Sequence, residues 1–195
     1  MKKLLLFTAF AIFAFVNSNA QGEFRIGFKG GVNIASIGGD NAFGVGSFGS
    51  RTGFHIGALV EIPITDKISV QPELMYSMKG SDFSFASSDF DIKLDYIDVP
   101  IMGKYHIIEG LSGEFGPVIG VLVKADADNG DETEDIKDLY KTTDIGLAIG
   151  ATYRLPMGVF FSLRYNKGLT DINDDPDTNA KSQNNVFQVS AGYSF

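Results

Sequence analysis

Apolar and polar residues alternate along most of this chain, and residues 184–195 show the pattern clearly. A two-residue period places alternate side chains on opposite faces of an extended strand. These residues therefore predict a β-strand with one apolar face and one polar face. The apolar parity of this strand is formed by Phe187, Val189, Ala191, Tyr193 and Phe195.

The same alternation predicts seven earlier strands. In one of them the apolar parity switches near Tyr96 and Ile97, which predicts a β-bulge at that point because one extra residue reverses the faces of a strand. The chain thus contains eight predicted strands of the length that crosses a bilayer when tilted. The seven earlier strands lie within residues 24–34, 54–64, 68–78, 92–107, 115–124, 144–154 and 159–166.

The connections between these strands alternate in length. Long polar loops are predicted at residues 35–50, 80–90, 125–141 and 171–184, and short turns separate the other strand pairs. Short turns at one end and long loops at the other are typical of outer-membrane barrels, whereas a soluble sandwich or lipocalin has no reason to sort its loops. We predict an all-β fold, a single eight-stranded antiparallel transmembrane β-barrel with an up-and-down meander.

Charged residues of both signs occupy the parity opposite to the apolar one, and glycines separate them. An eight-stranded barrel encloses only enough space for side chains. The polar parity is therefore predicted to fill the lumen and the apolar parity to face lipid, with tyrosines such as Tyr96 near strand ends or on the lipid face. Enclosed charges need partners, so Lys29, Glu73, Asp98 and Arg164 are predicted to form a central structural charge cluster.

The first twenty residues predict a secretory signal peptide. Lys2 and Lys3 precede an apolar run at residues 4–16, and small residues lead to a cleavage site after Ala20. A membrane anchor is the alternative, but the run is shorter than the about 20 apolar residues that a spanning helix needs. We predict a signal peptide at residues 1–20, export, and one domain at residues 21–195.

Net charge and cysteine content exclude two classes of function. Cleavage removes two lysines and so takes the formal charge from −8 to −10, which argues against nucleic acid as a partner. The chain has no cysteine, so it has neither disulfides nor thiol chemistry.

Acidic runs in two predicted loops have spacings near those of calcium loops. Neither run fits the EF-hand pattern, because Pro176 and Ser182 stand at key positions of one run and Gly130 is one place early in the other. Solvated loop charge is the favoured interpretation, calcium binding is the alternative, and no metal or cofactor is predicted. The runs are Asp126, Asp128, Asp131 and Glu132, then Asp171, Asn173, Asp175 and Asp177.

The two histidines, His55 and His106, bear on catalysis. A membrane lipid hydrolase or acyltransferase needs a serine and a histidine at one rim. Both histidines fall on the lumen parity, His55 toward the loop end and His106 toward the turn end, so they cannot share a site. We therefore predict that the protein is not an enzyme.

Three internal stretches and the final Y-S-F carry a family resemblance. These stretches are L-D-Y-I-D-V-P-I-M-G-K-Y at residues 94–105, F-G-P-V-I-G-V at 115–121 and R-Y-N-K-G-L-T at 164–170. Together with the signal peptide, they make residues 21–195 resemble the PorT-like, porin-family outer membrane protein beta-barrel group common in Bacteroidetes. The resemblance implies residence among outer-membrane lipid and an insertion signal, at Val189, Tyr193 and Phe195, that the barrel-insertion machinery recognises. It does not imply an open pore, which needs more strands.

Three functions are compatible with this sequence. The first is a non-enzymatic integral outer-membrane barrel with a structural or surface-interaction role, in which the long loops contact extracellular proteins. The second, which the resemblance implies for one subgroup, is an accessory component of a protein secretion system. A lipid-modifying outer-membrane enzyme is the third and least favoured.

Overall fold

The computed structural model describes residues 24–38, 47–85, 88–128, 130, 132–174 and 181–195. The predicted signal peptide lies outside the described residues. Within them, no helix is long and apolar enough to cross a membrane. A 3-10 helix lies at Lys137–Leu139, and the strands are β1 (Arg25–Gly38), β2 (Ser47–Phe48), β3 (Arg51–Pro63), β4 (Ile68–Phe85), β5 (Ser88–Ile108), β6 (Leu111–Asp128), β7 (Thr133–Asp135), β8 (Thr143–Arg154), β9 (Val159–Gly168) and β10 (Gln183–Ser194).

Eight of the described strands form a closed ring. Each pairs antiparallel with the next long strand in the chain, and β10 pairs with β1 to complete the order β1-β3-β4-β5-β6-β8-β9-β10. The short strands β2 and β7 attach to β4 and β6 outside this ring. The predicted eight-stranded antiparallel barrel is confirmed. Closure gives every strand of the ring a hydrogen-bonded neighbour on both sides, and a bilayer requires a sheet without free edges.

The three short turns lie at one end of the barrel, together with the start of β1 and the end of β10. In the β3–β4 turn, the Thr65 hydroxyl accepts hydrogen bonds from the backbone N–H groups of Lys67 and Ile68, at 3.3 and 3.0 Å. The other two turns each contain a glycine with positive φ, Gly110 at 81° and Gly158 at 93°. A side chain is strained in that backbone region, so these glycines permit the tight connections.

Apolar side chains cover the outside of the barrel and polar ones fill its lumen, as predicted. Phe28 is 55% exposed and Leu163 is 53% exposed, whereas the neighbouring Lys29 and Arg164 are each 2% exposed. This arrangement suits a barrel that is surrounded by lipid hydrocarbon and that pairs its polar side chains with one another in the lumen.

The outer end of the barrel differs from the prediction, because two of the predicted loops contain strand residues. Residues 80–90, predicted as a loop, belong to a hairpin in which β4 continues to Phe85 and β5 begins at Ser88. Residues 125–141 include the end of β6, all of β7 and the 3-10 helix. The sequences of these segments do not show the sustained alternation of apolar and polar residues that reveals strands.

The predicted β-bulge is present but belongs to the neighbouring strand. The β5–β6 register shifts between Asp95 and Tyr96, and the extra residue is Val123 of β6. On β5, the same parity points inward on both sides of this shift, so Leu94, Tyr96 and Asp98 are all buried. The prediction of a bulge in β5 and of a lipid-facing or terminal Tyr96 is therefore wrong, because this part of the lumen is itself apolar.

Candidate functional site

A four-residue ion cluster fills the middle of the lumen. Arg164 on β9 donates two hydrogen bonds to Glu73 on β4, at 2.9 and 2.8 Å, and one to Glu114 on β6, at 2.9 Å. The Lys29 ammonium on β1 lies 2.8 Å from Glu73 Oε2, which also accepts one of the Arg164 hydrogen bonds. Two buried cations thus match two buried carboxylates, and long side chains from four strands close the channel.

The structure brings three of the four predicted cluster residues together, namely Lys29, Glu73 and Arg164. Glu114 also belongs to this cluster and lies on the predicted charged parity, but it is absent from the predicted set. Lumen glycines make room for these side chains, since a Cβ on Gly150 would lie 3.0 Å from a Glu114 carboxylate oxygen.

Asp98 belongs to a second cluster nearer the loop end. Its carboxylate lies 3.0 Å from the Lys79 ammonium, which also lies 3.5 Å from Asp144 and 4.4 Å from the centre of the Tyr96 ring. Asn184 donates a hydrogen bond of 2.9 Å to Asp144. Asp98 is absent from the central cluster because the barrel register pairs it with Met75, two residues beyond Glu73 toward the loop end.

An apolar cluster closes the lumen above this second ion cluster. It contains Ile37, Leu94, Tyr96, Leu122, Ala125 and Ile172, and Ile136 and Tyr140 pack against it. Backbone bonds fix the covering loops, since the Lys141 N–H donates to Ile172 at 2.8 Å and the Asp174 N–H to Leu139 at 2.9 Å. The barrel is therefore capped at its loop end by its own connections.

Glu61 organises the charges at the turn end. Its carboxylate accepts hydrogen bonds from Arg154 and from Lys104, the latter at 3.0 Å, and it lies 3.6 Å from Arg25 and 3.4 Å from His106. A cavity of about 980 Å³ opens below this group. These residues lie on the predicted lumen parity, but the sequence does not reveal that they meet, because their relative heights depend on the strand register.

The two histidines lie in different environments. His55 bonds Asn33 and Ser190, each at 2.8 Å, and is 1% exposed. His106 lies 3.1 Å from the Ser69 hydroxyl at the turn end. His55 is therefore shielded from any lipid substrate at a membrane-facing rim.

Family comparison agrees with this geometry. Residues 17–174 match the model of the family described as outer membrane protein beta-barrel domain. The chain belongs to this family. Membership of this family, together with the apolar outer surface of the barrel, places the protein in the outer membrane. No curated protein sequence matches the chain.

Two solved barrels are similar to this outer-membrane protein in fold. The attachment invasion locus protein Ail of Yersinia pestis has 16% identity and a TM-score of 0.54, over 89% of this chain and 100% of that chain. Neisserial surface protein A has 15% identity and a TM-score of 0.55, over 88% of this chain and 97% of that chain. These identities show a shared fold alone.

An aromatic cluster lies on the outside of this outer-membrane barrel where β1 meets β10. The Phe195 ring centre lies 5.0 Å from that of Tyr193 and 6.1 Å from that of Phe28. Val189, further along β10, is exposed on the same outer face. The three residues of the predicted insertion signal thus share the lipid face, and their recognition by the insertion machinery stays a prediction.

Asp171 holds the last covering loop in place. Its carboxylate accepts backbone hydrogen bonds from Asn173 at 3.1 Å and Ser182 at 2.9 Å, and it lies 3.3 Å from the Lys141 ammonium. Burial alone raises the pKa of Asp171, but the hydrogen bonds from Ser182 and Asn173, together with the Lys141 ammonium, outweigh it and lower the pKa below its ordinary value. Residues 175–180 of the same acidic run lie outside the described residues, so calcium binding there stays a prediction.

We expect Asp171 to make the loop sensitive to acid. A lowered pKa means that the ionised form stabilises the loop above the ordinary aspartate pKa, and this contribution is lost as pH falls through the lowered value. Limited proteolysis of reconstituted protein between pH 7 and pH 2, with an acid-stable protease at the low end, should show loop cleavage rising as Asp171 protonates. Asp171→Asn should be cleaved readily at neutral pH, and Asp138→Asn is the control. Equal cleavage of the wild type and Asp171→Asn at pH 7 would contradict this role.

Proposed function

We propose that this protein is a non-conducting, non-enzymatic outer-membrane barrel that binds extracellular partners through its loop end. One observation carries the proposal: side chains fill the lumen at three levels while the β4–β5 hairpin extends the barrel outward. Solute passage requires a continuous water path, and the Arg164 cluster, the Lys79 cluster and the apolar cap each interrupt it. The loop end is therefore the surface on which a function can be built.

The charge of this surface indicates the chemistry of a partner. Glu134, Asp135 and Asp138 are exposed around the 3-10 helix, as is Lys137. Ail has been solved with the heparin analogue sucrose octasulfate, a polyanion. An acidic loop repels polyanions and attracts basic surfaces, so we propose a protein partner with a basic patch.

Conductance tests the closed lumen directly. Purified protein inserted into planar bilayers should give no steady channel openings in 1 M KCl. Insertion is checked in parallel by heat-modifiable migration of the same sample on a gel. Regular unitary currents from inserted protein would refute the closed barrel.

A loop variant tests the surface role. The triple variant Glu134→Gln, Asp135→Asn, Asp138→Asn should lower attachment of cells to lysine-rich protein coats, with a larger wild-type advantage at low salt. Glu109→Gln, which removes a charge at the turn end, is the control and should attach like the wild type. Unchanged attachment by the triple variant would contradict the proposal.

A PorT-like secretion accessory is the second candidate, and the open cavity at the turn end favours it by offering a periplasmic surface. In that case, disrupting the gene should deplete exported proteins from the medium, and the triple loop variant should restore them. A normal set of secreted proteins after disruption would remove this candidate.

A further inference from the structure

The cavity at the turn end is lined by more basic than acidic side chains. Arg25, Lys104 and Arg154 line it around the buried Glu61 carboxylate, and the cavity measures about 980 Å³. Three basic side chains therefore surround one carboxylate. In the central cluster, by contrast, two cations face two carboxylates.

Both carboxylate oxygens of Glu61 already have hydrogen-bond or ion-pair partners. One of its oxygens accepts hydrogen bonds from both Lys104 and Arg154, and the other accepts from Ser69 at 3.2 Å and faces Arg25 at 3.6 Å. The further partner of Lys104 is the neutral Gln71 amide, at 3.0 Å. The basic side chains around Glu61 thus outnumber its carboxylate by two.

Arg154 also has an unused donor. Its Nε is buried and has no hydrogen-bond partner within the described residues, although its side chain is 17% exposed as a whole. A buried donor without an acceptor is costly. Arg25, whose side chain is 48% exposed, stands beside it at the mouth. Arg25 is therefore accessible at the mouth of the cavity, and Arg154 is partly accessible and keeps one donor without an acceptor.

The acidic residues of the cavity wall do not neutralise these cations. Asp66 and Glu109 lie on the exposed turns at the rim, and no ion pair among the described residues joins either of them to Arg25, Lys104 or Arg154. Lys67 also lines the cavity beside Asp66, so basic side chains outnumber the acidic ones in its lining. A small anion that enters the cavity therefore meets the exposed Arg25 guanidinium and the unpartnered Arg154 Nε.

We propose that this cavity binds a phosphate group on the periplasmic side of the membrane. A guanidinium group can donate two parallel hydrogen bonds to two phosphate oxygens. A phosphate monoester carries about 1.5 to 2 negative charges at pH 7, which is close to the excess of basic side chains around Glu61. The phosphate comes from a soluble phosphomonoester or from the headgroup of an inner-leaflet lipid, which share this chemistry. The site is separate from the proposed extracellular surface, so either can fail without the other.

Binding is tested with full-length mature protein reconstituted in phosphatidylcholine vesicles, using glycerol 3-phosphate as the probe. Isothermal titration should show saturable binding, and Arg25→Gln should weaken it at least about tenfold, as loss of one charged hydrogen bond implies. Arg154→Gln should do the same, with heat-modifiable migration confirming that it folds. Lys137→Gln, which removes one cation at the opposite end, is the control.

The outcomes separate the source of the phosphate from the failure of the site. Displacement of glycerol 3-phosphate by phosphatidic acid added to the vesicles supports a lipid headgroup, and unchanged binding supports a soluble phosphomonoester. Absence of saturable binding in millimolar probe would overturn the proposal. Equal weakening by Lys137→Gln and Arg25→Gln would also overturn it, since binding would then depend on total charge alone.

Discussion

Replacing Arg164 with methionine should lower the free energy of unfolding by about 3–5 kcal/mol, the cost of removing one partner of a buried ion pair. Arg164 supplies three of the hydrogen bonds that reach Glu73 and Glu114. Without it, Lys29 alone faces two carboxylates in an enclosed space. Urea unfolding in phospholipid vesicles, followed by tyrosine fluorescence and gel migration, measures the change.

A double variant tests whether charge imbalance is the cause. Arg164→Met combined with Glu114→Gln leaves the Lys29–Glu73 pair, 2.8 Å apart, as a balanced cluster. This double variant should therefore be more stable than Arg164→Met alone. Ser162→Ala, which removes a long 3.4 Å hydrogen bond to Glu114, is the control and should be nearly neutral. If the double variant were less stable than the single one, packing rather than charge would explain the loss.

The strands that cross the bilayer could be predicted from the sequence because two solvents act on each of them. Along β9, apolar residues such as Leu163 face outward and polar ones such as Arg164 face the lumen. The sequence therefore alternates between apolar and polar residues with a period of two. Beyond the apolar band this contrast disappears. The β4–β5 hairpin is strand as far as Phe85 and Ser88, yet its polar sequence reads as a loop.

The lumen site was predicted less completely, since parity gives a side chain's face but not its height. Glu73 and Asp98 share the lumen, but the β4–β5 register sets them at different levels and gives each its own cation. Tyr96 shows the other limit. The lumen turns apolar beneath the covering loops, and the rule that apolar residues face lipid fails where Ile172 folds inward to meet it.

A charge on the outer face should have an effect as large as a break in the central cluster. Leu163 lies midway along β9, pairs with Val189 and Ala151, and is 53% exposed. An arginine at the middle of a lipid-facing strand costs about 2–4 kcal/mol. Leu163→Arg should therefore reduce the fraction of protein that folds into vesicles and shift its unfolding to lower urea concentration.

Position along the barrel axis provides the matched control for this change. Thr133→Arg adds the same side chain on β7, which is exposed outside the barrel ring, and should leave folding and stability within about 0.5 kcal/mol of the wild type. Both variants add the same charge and the same side-chain volume. A difference in their stability therefore shows whether the new side chain is surrounded by lipid or by water. Equal stability of the two variants would mean that Leu163 faces water, and the outer face of β9 could not then be the surface that meets hydrocarbon.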